Sequence, residues 1–297
     1  MIGRKRKITD KIAYLIFFLA TSVAIGITIL IIGFVLIQGL RPFLPNNPYG
    51  NYSLFQFILG DVWRPDFGVY GIGYMIISTL VATFWAVVLA VPVSLGTSIF
   101  VVEFAPKWLS LIIKFFIECL AGIPSVFFGI FAFFTILPII VKISPYSHGE
   151  SLLAVILILF AMCLPSMCLI MINTLENINP IYREGSLALG TSKRQTITMV
   201  LLPSVRTGLL SAVMIGVARA IGETMAVALV AGNREGGFIH SPFQTVRLLT
   251  TNIVLEQSYA TELHAQLLWT TAVVLLFFVM IINLVLKQLN QTGGCAK

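Results

Sequence analysis

Apolar runs longer than a soluble core helix needs recur along this chain. About 18 such residues cross ~30 Å of hydrocarbon as a helix, and inside lipid only helices or closed barrels satisfy every backbone polar group. The runs cover residues 12–38, 74–102, 111–141, 151–172, 208–231 and 263–286. None shows the short alternating pattern of a barrel strand. Only 10% of the 297 residues are charged, against about 25% in a soluble domain. The expectation is an all-α integral membrane protein, multi-pass in the cell membrane, with six transmembrane helices.

Charge sets the orientation. Loops on the cytoplasmic side collect Lys and Arg. With the N-terminus inside, thirteen of the nineteen basic residues fall inside, five fall outside, and Arg219 lies within a span. Both termini are therefore expected in the cytoplasm. The basic start Arg4 to Lys7 resembles a signal peptide, but a signal's apolar core is only about 7–15 residues. Residues 12–38 are accordingly read as an uncleaved first helix after a basic segment, 1–11. Residues 39–73 form an outer segment with Pro42, Pro45, Pro48 and Pro65, residues 74–286 a transmembrane core of five helices, and 287–297 an inner tail.

The net charge of +7 does not indicate nucleic acid, because no stacking platform accompanies it and the only Arg-rich tract is the N-terminal one. Cys119, Cys163, Cys168 and Cys295 form no C-x-x-C pair, and three lie in apolar runs where Cys behaves as a small hydrophobe. His148, His240 and His264 are scattered near the outer side and are expected at the surface, with no metal site.

The longest inner connection, residues 173–207, is polar, basic and rich in small residues. It reads as a helix around Glu184, a turn at Gly190, a second helix capped by Thr191 or Ser192, and a close at Leu202-Pro203. Leu187, Leu189, Ile197, Met199 and Val200 are positioned to fill a groove on a soluble partner, a known mode of helix recognition. The spacing Gly185 to Gly190 is that of a phosphate-binding loop, but Thr191-Ser192 replaces the Lys and Ser/Thr, and no strand precedes it.

Glu184, Gly185 and Ser186, followed by Gly190, Val200, Leu202 and Pro203, stand at the spacing of the Glu-Ala-Ala signature, and the chain resembles the permeases of ATP-binding-cassette importers. The departure is Gly-Ser for Ala-Ala, small for small. Leu59-Gly60 with Trp63 and Pro65, Glu118 to Ser125, and Ala218 to Ala226 further resemble the PstC-like permeases of phosphate (Pst) importers. This resemblance implies the type I importer permease fold. It also implies that loop 173–207 docks on an ATPase, and that ATP and Mg are hydrolysed by that partner while this chain binds no cofactor. The implied assembly is a second, PstA-like permease, two PstB-like ATPase subunits and an external PstS-like phosphate-binding protein.

Arg219 and Glu223 are four apart, which places them on one face of a continuous helix. Charges in a span normally face the bundle interior and pair. Two roles are open: an anion pathway, in which Glu223 competes with the solute for Arg219, or a structural ion pair. Glu118 either lines the pathway or pairs with Lys114, one turn away. Gly122 and Pro124 interrupt the third run, as a gate hinge or as a packing kink. An ion-coupled transporter would need midplane coupling-ion ligands and often shows internal repeats; neither is visible. A membrane enzyme would need clustered His, Asp or Glu, and the chain has none.

Overall fold

The computed structural model describes residues 2–45 and 47–292, so Cys295 and Lys297 lie outside the described residues. In order, the elements are α1 (Ile2–Leu40), α2 (Leu54–Leu59), β1 (Trp63–Arg64), β2 (Val69–Tyr70), α3 (Gly73–Ile99), α4 (Lys107–Gly122), α5 (Ser125–Phe131), α6 (Leu137–Ile143), α7 (Leu152–Glu176), α8 (Pro180–Ala188), α9 (Lys193–Gln195), α10 (Leu202–Ser204), α11 (Arg206–Gly222), α12 (Met225–Val230), α13 (Leu249–Glu256) and α14 (Glu262–Thr292). Five helical stretches are long and apolar enough to cross a membrane: Ala13–Phe43, Gly73–Phe104, Ser125–Ile143, Leu152–Glu176 and Glu262–Val285. α11, Arg206–Gly222, reaches that length only when counted together with Lys193–Ser204, across a 71° bend.

The third apolar run divides. α4 stands before Gly122 as a separate amphipathic helix, and the membrane-length stretch starts only at Ser125. Ile123 and Pro124 between them are extended, as proline demands of itself and of the residue before it.

α7 is the centre. It is buried along most of its length and packs on α3, α11, α4 and α12. The packed face of α3 is small: Ala82, Ala86, Ala90, Ser94 and Ser98. Without a hydrophobic force between helices in lipid, such a face lets backbones approach and hydroxyls bond across. Ser98 donates to the Cys168 carbonyl at 3.4 Å. Where α11 crosses α7, an added Cβ at Gly216 would lie 2.5 Å from Met167 Sδ, so a larger residue there would have to displace that side chain. α1 is peripheral, held to α14 where the Gly39 carbonyl accepts from Thr270 at 2.7 Å and Phe34 meets Trp269 edge-on at 5.4 Å.

Two faces result. One carries the β1–β2 hairpin, paired antiparallel as Trp63↔Tyr70 and Arg64↔Val69, together with α13. The other carries α8, α9 and α10, which connect α7 to α11.

Candidate coupling loop and translocation pathway

The connection from α7 to α11 is a built elbow. Asn179 caps α8 by accepting from the Ile181 N–H at 3.0 Å, with Pro180 at the first helical position. α8 ends at Gly190, whose φ of +82° is the left-handed conformation that glycine adopts without penalty. Ser192 then caps α9 with a reciprocal capping box to Gln195. The turn between is locked by three hydroxyls: Ser186 lies 2.8 Å from Thr191 and 3.1 Å from Thr196, and those two lie 3.0 Å apart. Ser186 occupies a signature position normally held by alanine, and spacing alone gave no sign of this hydroxyl cluster.

Pro203 does not close the second helix. A π-helical turn at Thr196–Leu201 leads directly into α10, which contains Pro203, and the break falls at Val205. The wider turn accommodates a proline that lacks the next N–H.

Exposure sorts the groove-filling candidates. Leu189 is 87% exposed and Met199 72%, with Leu187 also outward. Ile197 is only 5% exposed, which removes it from the outward set. It packs instead with Leu175, Ile178 and Leu201 beneath the elbow: Leu201, four residues on, shares its face, whereas exposed Met199, two residues on, lies opposite. Val200 is half-buried, while Glu184, Gly185 and Pro203 are exposed. Ile181 and Tyr182 add exposed apolar surface that the sequence reading did not single out.

Inside the bundle, Arg219 and Glu223 do not pair. α11 ends at Gly222, and Glu223 is extended at ψ 130°, so the two residues do not share a helix. Glu223 and Thr224 lie between α11 and α12, so the periodicity that the four-residue spacing assumes ends at Gly222. The Glu223 carboxylate instead accepts from the Ala226 N–H at 3.3 Å at the start of α12, and its carbonyl accepts from Thr250 at 3.0 Å. Arg219 donates to the Ser166 hydroxyl on α7 at 3.1 Å, beside Pro165. Among the described residues Arg219 makes no salt bridge.

Glu118 is exposed, and Lys114 bonds to Glu176 of α7 rather than to it. The break at Gly122 and Pro124 has a counterpart at Glu223-Thr224. The half-helices that follow the two breaks pack together, since an added Cβ at Gly129 of α5 would meet Ala226 Cα of α12 at 2.8 Å.

On the hairpin face Arg247 bonds Glu256 at 2.7 Å, and His264 Nε2 lies 3.2 Å from the same carboxylate. Burial alone pushes the Glu256 carboxyl up, but His264 and the Arg247 charge outweigh it and hold the group down at about 2. His264 is thus buried against Trp63 and Tyr70, not at the surface, because the hairpin folds over the start of α14.

Residues 93–292 match the family described as binding-protein-dependent transport system inner membrane component. The chain belongs to that family. A probable ABC transporter permease, YqgH of Bacillus subtilis, is 34% identical over 92% of this chain and 86% of its own length. The phosphate transport system permease PstC of Haemophilus influenzae is 29% identical over 80% of this chain and 83% of its own. PstC 1 of Mycobacterium bovis is 32% identical over 71% and 67%. A chain of the inward-facing MetNI methionine ABC transporter shares the fold, with a TM-score of 0.55 at 21% identity over 75% of this chain and 94% of its own. The protein is therefore a membrane-embedded permease subunit of type I fold. The family match opens inside α3 and takes in the elbow, both broken spans and α14, whereas α1 and the hairpin precede it.

Proposed function

We propose that this permease imports inorganic phosphate, driven by an ATPase that docks on the elbow Pro180–Ser204. The observation that carries the solute assignment is the state of Arg219: half-buried in the bundle and bonded to a neutral hydroxyl rather than to a carboxylate. A guanidinium with no counter-charge presents a planar fork of donors suited to phosphate oxygens. The PstC relatives support phosphate among the oxyanions. Glu223, one residue beyond the helix, tempers the positive field without neutralising the fork, which keeps binding weak enough for release.

The docking assignment is supported by Leu187, Leu189 and Met199, which stand exposed on an elbow rigidified from within. In this reading both termini and the elbow face the cytoplasm, in keeping with the distribution of Lys and Arg. The working assembly is this chain, a second permease subunit, two ATPase subunits that hydrolyse ATP with Mg, and an external phosphate-binding protein. ATPase closure moves the elbow and opens the pathway outward; hydrolysis returns it inward. Gly122, Pro124 and the Glu223-Thr224 break are the flexing points, and Glu118 lines the inner mouth.

The test is ATP hydrolysis by the reconstituted complex, stimulated by binding protein loaded with phosphate, sulfate or molybdate. Stimulation by phosphate above the others is expected. Equal or stronger stimulation by another oxyanion would reassign the solute, and transport by Arg219→Ala complexes that assemble and hydrolyse ATP normally would remove Arg219 from the pathway.

A further inference from the structure

The elbow joins the bundle along the chain at both ends, from α7 through residues 177–179 and into α11 through the 71° bend at Val205, and its underside packs on Leu175 and Ile178. Across space it is tied to the end of α3, at the π-helical turn Phe100–Phe104. Arg183 of α8, the residue before Glu184, forms an ion pair with Glu103, whose side chain is only 5% exposed while that of Arg183 is 33% exposed. Lys193, the first residue of α9, donates to the Glu103 carbonyl, and its ammonium stands 4.6 Å from the Phe104 ring centroid. Both arms of the elbow therefore hold Glu103 in the π turn that follows α3, one by a charge-assisted hydrogen bond to its carboxylate and one by a bond to its carbonyl with a cation–π contact to Phe104. α3 runs from this grip to the opposite face, packed along α7 on its small-residue side.

We propose that Glu103, Arg183 and Lys193 form a clamp that makes the elbow and α3 one moving body, so that the ATPase stroke enters the bundle through α3. The three are positioning residues, and the inference rests on the elbow being the ATPase dock. A bent, uncapped junction transmits displacement poorly, because Val205 sits outside both helices and absorbs rotation. Glu103 is the buried partner, so opening the pair would leave its carboxylate stranded beside apolar surface.

The experiment uses the full complex in proteoliposomes, with three readings: ATPase retained on the permease, ATP hydrolysed, and phosphate imported per ATP. In a chain whose four native cysteines are replaced, Glu103→Cys and Arg183→Cys are combined and bridged by a short bis-methanethiosulfonate linker. Unbridged, this variant is expected to retain the ATPase and to hydrolyse ATP, while phosphate per ATP falls about tenfold, the factor of one charge-assisted hydrogen bond. Bridged, import is restored, because a covalent link replaces a contact that never opens. Lys193→Met gives a smaller fall in the same ratio, and the reversal Glu103→Arg with Arg183→Glu recovers most of the loss of either single change.

Normal coupling in the unbridged variant would overturn the clamp, and so would import blocked by the bridge, since the elbow would then have to slide on α3. Loss of the ATPase from Glu103→Gln, unrescued by the reversal, would also overturn it by assigning the pair to the dock. Failure of the docking reading itself is read separately: Leu189→Glu would then keep its ATPase.

Discussion

Gly185 and Gly190 lie five residues apart on the elbow, both exposed, and an added Cβ at either meets nothing within 4 Å. The same replacement, glycine to alanine, should nevertheless act with opposite sign. Gly185 is inside α8, where glycine costs about 0.5–1 kcal/mol relative to alanine through the chain entropy it surrenders. Gly190 holds φ +82°, where a Cβ crowds the following carbonyl at a cost of roughly 1–2 kcal/mol. With sterics against neighbours absent from both sites, only the backbone term remains. Gly185→Ala should slow amide exchange across Pro180–Ala188 by about two- to fivefold, and Gly190→Ala should speed it across Leu187–Gln195 by about five- to thirtyfold. Exchange mass spectrometry on the purified permease reads both. Gly190→Asn should fall between wild type and alanine, because asparagine tolerates the left-handed region. In the assembled complex, Gly190→Ala should shed ATPase during washing and Gly185→Ala should not. Equal acceleration by both alanines, or none at Gly190, would refute the account of the elbow as a backbone-conformational lock.

Four further outcomes follow from the same structure. Arg219→Lys should retain part of import and Arg219→Ala little, whereas Ser166→Ala should cost only about 1 kcal/mol of stability, the worth of one hydrogen bond; uptake and thermal melting separate these effects. Glu256 has a folded pKa of about 2 against an ordinary 4.5. Its contribution, on the order of 3 kcal/mol, is present above pH ~4.5 and is lost as pH falls toward ~2, so melting of the wild type should drop across that window. Glu256→Gln should melt lower at neutral pH, with Arg247 left buried and unpaired, and should show a much weaker slope over the same window. Gly216→Val should destabilise by about 1–3 kcal/mol through overpacking against Met167, and Met167→Ala in the same chain should return part of the loss.

The presence of membrane-length apolar runs, the elbow's helix–turn–helix and the site of its left-handed turn are legible in the one-dimensional order of residues; the number of spans is not, since five stretches are long enough and a sixth depends on a bent pair. The legible features are local signals: an apolar run reports its own length, and a glycine or a capping serine acts on the backbone within about four residues of itself. The break at Gly122-Pro124 was legible for the same reason. The charged residues were not. Helical periodicity pairs Arg219 with Glu223, but that periodicity stops at Gly222, in the same last turn of α11 that carries Arg219. Its actual partner, Ser166, is 53 residues away on α7. Glu103 and Arg183 are 80 apart, and His264 was taken as a surface residue because nothing near it in sequence reveals the hairpin that covers it. Ile197 faces inward because it lies on the face of Leu201, four residues on, and Met199, two residues on, cannot share it. The sequence by itself therefore decided which stretches require lipid and where the elbow turns, through terms that depend on neighbours along the chain, but not the break at Glu223-Thr224 inside the run 208–231. Only the tertiary structure decided which charge meets which partner, because a charge buried at low dielectric is satisfied by whatever group the packing brings within ~3 Å, and packing joins residues without regard to their distance in sequence.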